Sequence, residues 1–318
     1  MKYCNRCITP DTRPGLILDS EGICQGCRHF ESLSKVDWKK RRDELNLIVN
    51  WAMRRSSYGY DCIVSVSGGK DSTRQALYMR DNLGMTPLLV CTHNPPEMTS
   101  KIGIDNLANL TELGFDTISI TPNPVLYKKL MKKGLYEYGN YNKSAETVLY
   151  ASAHRVAKFY NIPLIVLGEN GSLVNGDHAT NNDGGNAKYL RDHNTVKDGL
   201  DWMINKKENI DKQDLIAYDM PEINDYDIKA IYIGYYIKDF SQVVNGIFSM
   251  AFGLSYRKES VEDYGCLYNF SQVDHEFTQV NQLMKFYKFG FGKASEEISE
   301  LIKQGIMTKE TGILLALK

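Results

Sequence analysis

Short apolar runs alternate with amphipathic stretches along the middle of the chain. Residues 61–66, 87–93, 115–121 and 162–168 read as strands, with 61–66 buried. Between them, residues 71–83, 101–113 and 144–160 carry apolar positions at helical spacing. Gly84 and Gly114 stop the first two helices, and Ser144 reads as the N-cap of the third, with Glu146 in its first turn. Strands alternating with helices predict an α/β fold with a parallel sheet and ligands at the carboxyl ends of its strands. Upstream, 34–55 is charged and helical in pattern, with Val36, Trp38, Leu45, Ile48, Val49 and Ala52 as its apolar positions. Downstream, 170–193 is rich in Gly, Asn and Asp and reads as a long loop. Residues 226–240 are aromatic, and periodicity leaves strand and buried helix both open; 277–289 and 295–304 read as helices. Three units follow: a small module at 1–35, an α/β domain at 36–215, and a mainly helical substrate or partner region at 216–318.

The most specific motif is Ser67-Gly68-Gly69-Lys70-Asp71-Ser72, between the strand ending at Val66 and the helix that follows. Two glycines let the backbone turn sharply and approach an anion. Free N–H groups at the helix start favour a phosphate there. Ser67 and Ser72 offer hydroxyl donors, and Lys70 offers a positive charge. The pattern is neither the G-x-x-x-x-G-K-[ST] phosphate loop nor the G-x-G-x-x-G fingerprint. It resembles instead the PP-loop of the ATP pyrophosphatases, a Rossmann-like fold whose loop holds the leaving pyrophosphate while a substrate oxygen attacks the α phosphorus of ATP.

Four cysteines, Cys4, Cys7, Cys24 and Cys27, form two C-x2-C pairs separated by 16 residues. That spacing matches a closed tetrahedral Zn²⁺ site, structural because it leaves no open position. It would hold together a zinc-ribbon-like segment of roughly 30 residues, too small to fold alone. An iron–sulfur cluster is the alternative for the same thiols.

Further candidates cluster at the predicted strand ends. Gly168 ends the fourth strand and Glu169 and Asn170 follow it; a carboxylate there suits Mg²⁺ beside phosphates, or caps the loop. Thr92, His93 and Asn94 end the second strand, where a nucleotide would lie. Asp177, His178, Lys188, Arg191, Asp192 and His193 lie in or beside the polar loop, as anion ligands or as a solvated surface. Lys293, after Gly290 and Gly292, is in reach of a phosphate by sequence pattern. His154 reads as structural, Cys62 and Cys91 as core, and Cys266 has no neighbouring thiol in sequence.

The net charge of −1 over 318 residues argues against a nucleic-acid or membrane partner bound by bulk charge. No run approaches the roughly 20 apolar residues of a membrane span. The first residues lack the apolar core of a signal peptide, so a cytoplasmic location is expected, with thiols reduced.

Two groups of proteins with this loop carry a cysteine module ahead of it. The tRNA thiolases typically have further cysteines and a basic surface, and remain the alternative. Over nearly the whole chain, the sequence resembles the N-acetyl sugar amidotransferases of bacterial surface-polysaccharide and lipopolysaccharide biosynthesis. The resemblance lies in YCNRCITPDTRPGLILDSEGICQGCRHFE, GYDCIVSVSGGKDSTRQALYMRDNLGMTPLLV, IPLIVLGEN, AIYIGYY and MKFYKFGFGKASEEISELIKQGIMTKE, with Lys293 where Arg is expected. It implies an enzyme that converts an acetamido group to an acetamidino group. The amide oxygen attacks ATP to give an O-adenylyl imidate and pyrophosphate, and ammonia then displaces AMP. Lys70, Asp71 and Glu169 are the implied catalytic residues; Ser67 to Ser72, Thr92, Gly168 and Lys293 are the implied nucleotide ligands. Implied partners are an N-acetylated sugar, free or nucleotide-linked, and a separate glutaminase resembling that of histidine biosynthesis, with or without a cyclase-like companion.

Overall fold

The computed structural model describes residues 1–57, 59–176, 184–192, 196–224 and 226–317, the side chains of residues 189 and 192 excepted. The chain begins with the cysteine module and helix α1 (Gln25–Ser32), then helix α2 (Trp38–Arg55), capped by Asp37, which accepts from Lys40 N–H at 3.0 Å. There follow β1 (Cys62–Val66), α3 (Lys70–Leu77), β2 (Pro87–Thr92), α4 (Lys101–Glu112), β3 (Thr117–Ile120), α5 (Pro124–Tyr138), α6 (Lys143–Tyr160), β4 (Leu164–Leu167) and α7 (Gly171–Asn175). The chain ends with β5 (Lys229–Tyr232), α8 (Gln242–Ala251), α9 (Thr278–Phe289), α10 (Lys293–Lys303) and α11 (Lys309–Ala316).

The sheet is five-stranded and all parallel, in the order β3-β2-β1-β4-β5. Burial follows from sequence. Every residue of β4 is buried, as are four of five in β1, whereas edge strand β3 alternates between exposed and half-buried positions. Val64, Val66 and Leu89 pack with Leu45, Val49 and Ala52 of α2 and Leu77 of α3 on one face. Ile63, Leu88 and Ile165 pack with Ala153, Val156 and Ala157 of α6 on the other. Strand order reverses between β1 and β4, so their carboxyl ends open a crevice, the usual ligand position of such sheets.

The aromatic segment at 226–240 contains β5, so the sheet draws an edge strand from the region past residue 215. Beyond β5 the described elements are helical, as expected. Ser144 is not a cap: α6 starts at Lys143 behind Asn142, and Ser144 is buried inside its first turn. The segment from 170 is not wholly loop, since Asn170 accepts from Ser172 N–H at 3.1 Å and starts α7. Asp177, His178 and His193 lie outside the described residues. No helix among the described residues is long and apolar enough to cross a membrane.

Candidate nucleotide site and metal centre

The loop between β1 and α3 is fixed by backbone geometry. Gly68 sits at φ +81°, and a Cβ there would meet Leu107 N at 3.0 Å and Asn106 C at 3.1 Å, so α4 crowds the turn. Gly69 is the N-cap of α3 and offers no side chain, which leaves the first amides of the helix open. Ser72 Oγ donates to Gly69 O at 3.0 Å, so this hydroxyl is already committed within the loop. Ser67 instead lines an adjoining cavity.

Lys70 Nζ lies 2.8 Å from Asp71 Oδ2, and Asn245 of α8 donates to Asp71 Oδ1 at 2.6 Å. Ser249 Oγ donates to Lys70 O at 2.7 Å, so α8 clamps the start of α3. Arg74 binds Asn245 Oδ1 at 2.6 Å and Asp239 Oδ1 at 2.7 Å, which orients Asn245 in turn. Burial works against the charge of Lys70, but Asp71, Glu169 and Glu297 outweigh it and raise its pKa.

Across the crevice, Gly168 and Glu169 follow β4. Glu169 is solvent-exposed just past the end of β4. Desolvation there, together with Glu300 and Asp71, pushes its carboxyl up to about 7 against the pull of Lys70 and Lys293. Lys293, at the start of α10, lies 3.7 Å from Glu297 and donates to Gln242 Oε1 at 3.3 Å, while Gln242 also donates to Glu300. Lys70, Asp71, Glu169 and Lys293 are thus brought into one electrostatic cluster from three distant segments. Asp71 and Glu169 suit a divalent cation, because the Asp71 carboxylate disfavours the charge of Glu169. The sequence reading missed Asn245, Gln242, Glu297 and Glu300. They lie on α8 and α10 with no local motif, and only helix packing brings them to the loop.

A cavity of about 520 Å³ opens beside Ser67 at the ends of β1 and β2. Thr92, His93 and Asn94 line it, with His93 Nε2 3.0 Å from Ser119 Oγ and Asn94 Oδ1 accepting from Tyr127 at 2.6 Å. Its far wall comes from the segment before α9 and from α9 itself, and Arg13 of the cysteine module closes one side.

The remaining candidates lie elsewhere. Arg191 donates to Met220 O, Lys188 is exposed, and His154 is buried in α6 with Nδ1 2.8 Å from Tyr150 O. Cys62 and Cys91 are buried in their strands, as expected. Burial pushes the Cys266 thiol up to about 11, with Glu297 adding to the shift.

Cys4, Cys7, Cys24 and Cys27 are all buried, and their sulfurs lie within 4.8 Å of one another. The Cys4–Cys27 and Cys7–Cys24 separations are 3.8 and 3.7 Å. A tetrahedron with Zn–S near 2.3 Å has edges of about 3.8 Å, so the thiols fit a metal such as zinc and are too far apart for disulfides. Backbone N–H groups of Arg6, Cys24 and Cys27 point at the sulfurs at 3.3–3.4 Å, which suits thiolates. The module is anchored to the rest of the chain: Lys309 Nζ donates to Cys4 O at 2.7 Å. Gly26 lies against α7 so closely that a Cβ would meet Val174 O at 2.8 Å.

No family profile and no curated protein matches this chain.

Proposed function

We propose that the chain is an ATP-dependent N-acetyl sugar amidotransferase of the PP-loop type, acting in the cytoplasm in surface-polysaccharide biosynthesis. The observation that carries this reading is the Ser67–Ser72 turn at the start of α3. It lies beside the β1/β4 crevice, with Glu169 following β4 and Lys293 reaching the same cluster. Open helix amides and Lys70 suit the pyrophosphate of ATP, while Asp71 and Glu169 would hold Mg²⁺, which supplies charge neutralisation on the phosphates. The protein's part is positioning and electrostatic stabilisation, as adenylation of an amide oxygen requires. Ammonia comes from a separate glutaminase subunit. The four-cysteine centre is a structural zinc site.

The amidotransferase reading is favoured over tRNA thiolation by Cys266, whose thiol is buried and donates to Tyr264 O at 3.5 Å, a poor setting for a sulfur carrier. Among the described residues, the N-terminal cysteines form the one cluster of metal-binding type.

The test is release of AMP and pyrophosphate from ATP with an ammonium salt and a panel of N-acetylated sugars, the sugar being followed by mass spectrometry. Replacement of oxygen by NH lowers its mass by about 1 Da, a shift that marks the amidine formed by the adenylation route. Asp71→Ala is expected to abolish turnover. Sulfur-dependent tRNA modification without sugar turnover would sink the proposal.

A further inference from the structure

The cavity beside Ser67 has unmet hydrogen-bonding demand on its walls. Thr92 Oγ1, Gln272 Oε1, His275 Nε2 and Gln282 Oε1 are all buried, have no partner among the described residues, and belong to side chains that line it. Buried polar groups in native proteins are almost always paired, so such a concentration around one cavity is a demand that a bound molecule, water or ligand, would meet. Its volume is in the range that holds a drug-sized molecule.

His275 is the most defined of the four. It is 6% exposed, and Phe277 N–H donates to its Nδ1 at 2.9 Å. Nδ1 is therefore the acceptor nitrogen, and the neutral ring carries its proton on Nε2. Gln272 is held as firmly. Its backbone adopts φ +51°, rare for a residue other than glycine, and its carbonyl and that of Ser271 each accept from buried Arg257 at 2.6 Å. Backbone strain of this kind persists where the surroundings over-determine it. Gln282 projects from α9. The cations in the wall, Arg13 and Lys285, both bind Glu296, so their charge is already answered.

We propose that Gln272, His275 and Gln282 form the acceptor subsite, which reads a ring bearing hydroxyl and amide groups. The N–H of His275 donates to a ligand oxygen, and the two glutamine carbonyls accept from ligand O–H or N–H groups. Tyr141 and Phe289 supply apolar faces in the same walls. Naming this ligand as the acetamido sugar rests on the amidotransferase reading above. The subsite itself is a binding property and is testable without turnover.

The test is calorimetric binding to the full chain of N-acetylglucosamine, N-acetylmannosamine and N-acetylgalactosamine, free and UDP-linked, and separately of α,β-methylene-ATP. His275→Asn places an amide oxygen where Nδ1 accepts but removes the Nε2 donor. Gln282→Leu removes the acceptor on α9. The wild type is expected to bind at least one sugar. Each variant should weaken that sugar about tenfold or more, the scale of one buried hydrogen bond, and shift the ATP analogue less than about twofold. Gln282→Leu carries the test by itself if His275→Asn melts early. Unchanged sugar affinity in folded variants, loss of the ATP analogue instead, or no sugar bound by the wild type would each overturn the subsite. Sugar binding without AMP formation would leave the subsite standing and remove the amidotransferase reading.

Discussion

Arg13 of the cysteine module lies 2.7 Å from Glu296 of α10, a contact that ties the first turn of the metal module to the far end of the chain. The other oxygen of Glu296 meets Lys285 of α9 at 2.7 Å, and both cations stand 5.3 Å from the centre of the Phe291 ring. Arg13, Lys285, Phe291 and Glu296 all line the cavity beside the glycine-rich loop. The metal module is therefore part of a wall of that cavity as well as a small folding unit.

Metal removal should then act on function as well as on stability. Cys24→Ser or a strong chelator is expected to lower the melting temperature and to cut adenylation at least about tenfold, the scale on which supporting residues affect a site. Arg13→Ala should keep one zinc per chain by elemental analysis and lose activity to a similar degree. A fully active Arg13→Ala would show that the module does not act through this residue.

Glu296 should also shape the acid limb of stability. Burial alone would raise its carboxyl, but Lys285 and Arg13 outweigh burial and hold it at about 2, below the 4.5 of an unperturbed glutamate. A depressed acid contributes stability above its unfolded pKa and loses it as pH falls through the folded one. The window is therefore about pH 4.5 down to 2, and the contribution is on the order of 3 kcal/mol. Urea unfolding of the wild type at pH 7 and pH 3 should show about 2 kcal/mol of that loss, since pH 3 lies inside the window. Glu296→Gln should be less stable at pH 7 and flatter across the same range, because two buried cations lose their partner.

The parallel sheet was legible because four apolar runs are too short for buried helices and are punctuated by Gly84 and Gly114. The loop and the cysteines were legible because their chemistry needs fixed spacing. Residues acting through tertiary packing were not. Asn245 reaches Asp71 only because α8 lies across α3, and Glu296 meets Arg13 only because the chain's two ends fold together. The strand at 229–232 was ambiguous because aromatic runs of that length suit either a buried strand or a helix. The N-cap of α6 was misplaced by two residues, since Ser144 has a capping side chain but lies just past the start.

Glu169 gives a pH dependence of opposite sign to that of Glu296. Desolvation in the cleft, then Glu300 and Asp71, push it up to about 7 from an ordinary 4.5. A raised acid contributes stability below pH 4.5 and loses it as pH rises through 7, while the carboxylate that would hold Mg²⁺ in the proposed reaction appears over the same interval. AMP formation at subsaturating Mg²⁺ should rise with pH to a plateau above about 7, and added Mg²⁺ should move the midpoint down, because cation and proton compete for one carboxylate. Glu169→Gln should remove this limb and raise the Mg²⁺ requirement. A Mg²⁺-independent midpoint would exclude Glu169 as a cation ligand.

The two glycines that face the crevice should respond differently to alanine. At Gly68, a side chain meets the backbone of α4 at 3.0 Å, and φ +81° is strained for any L residue. Neither obstacle yields to a rotamer change, so Gly68→Ala should cost about 1–3 kcal/mol and displace the loop amides, lowering kcat about 100-fold or more. At Gly168, the nearest atom is Gln75 Nε2 at 2.8 Å, the far end of a flexible side chain whose Oε1 has no partner among the described residues. Gln75 can swing aside, so Gly168→Ala should cost less than about 1 kcal/mol. Chemical denaturation of both variants beside the adenylation assay checks the contrast. A Gly68→Ala protein as stable and active as the wild type would mean that the close approach of α4 does not constrain the loop.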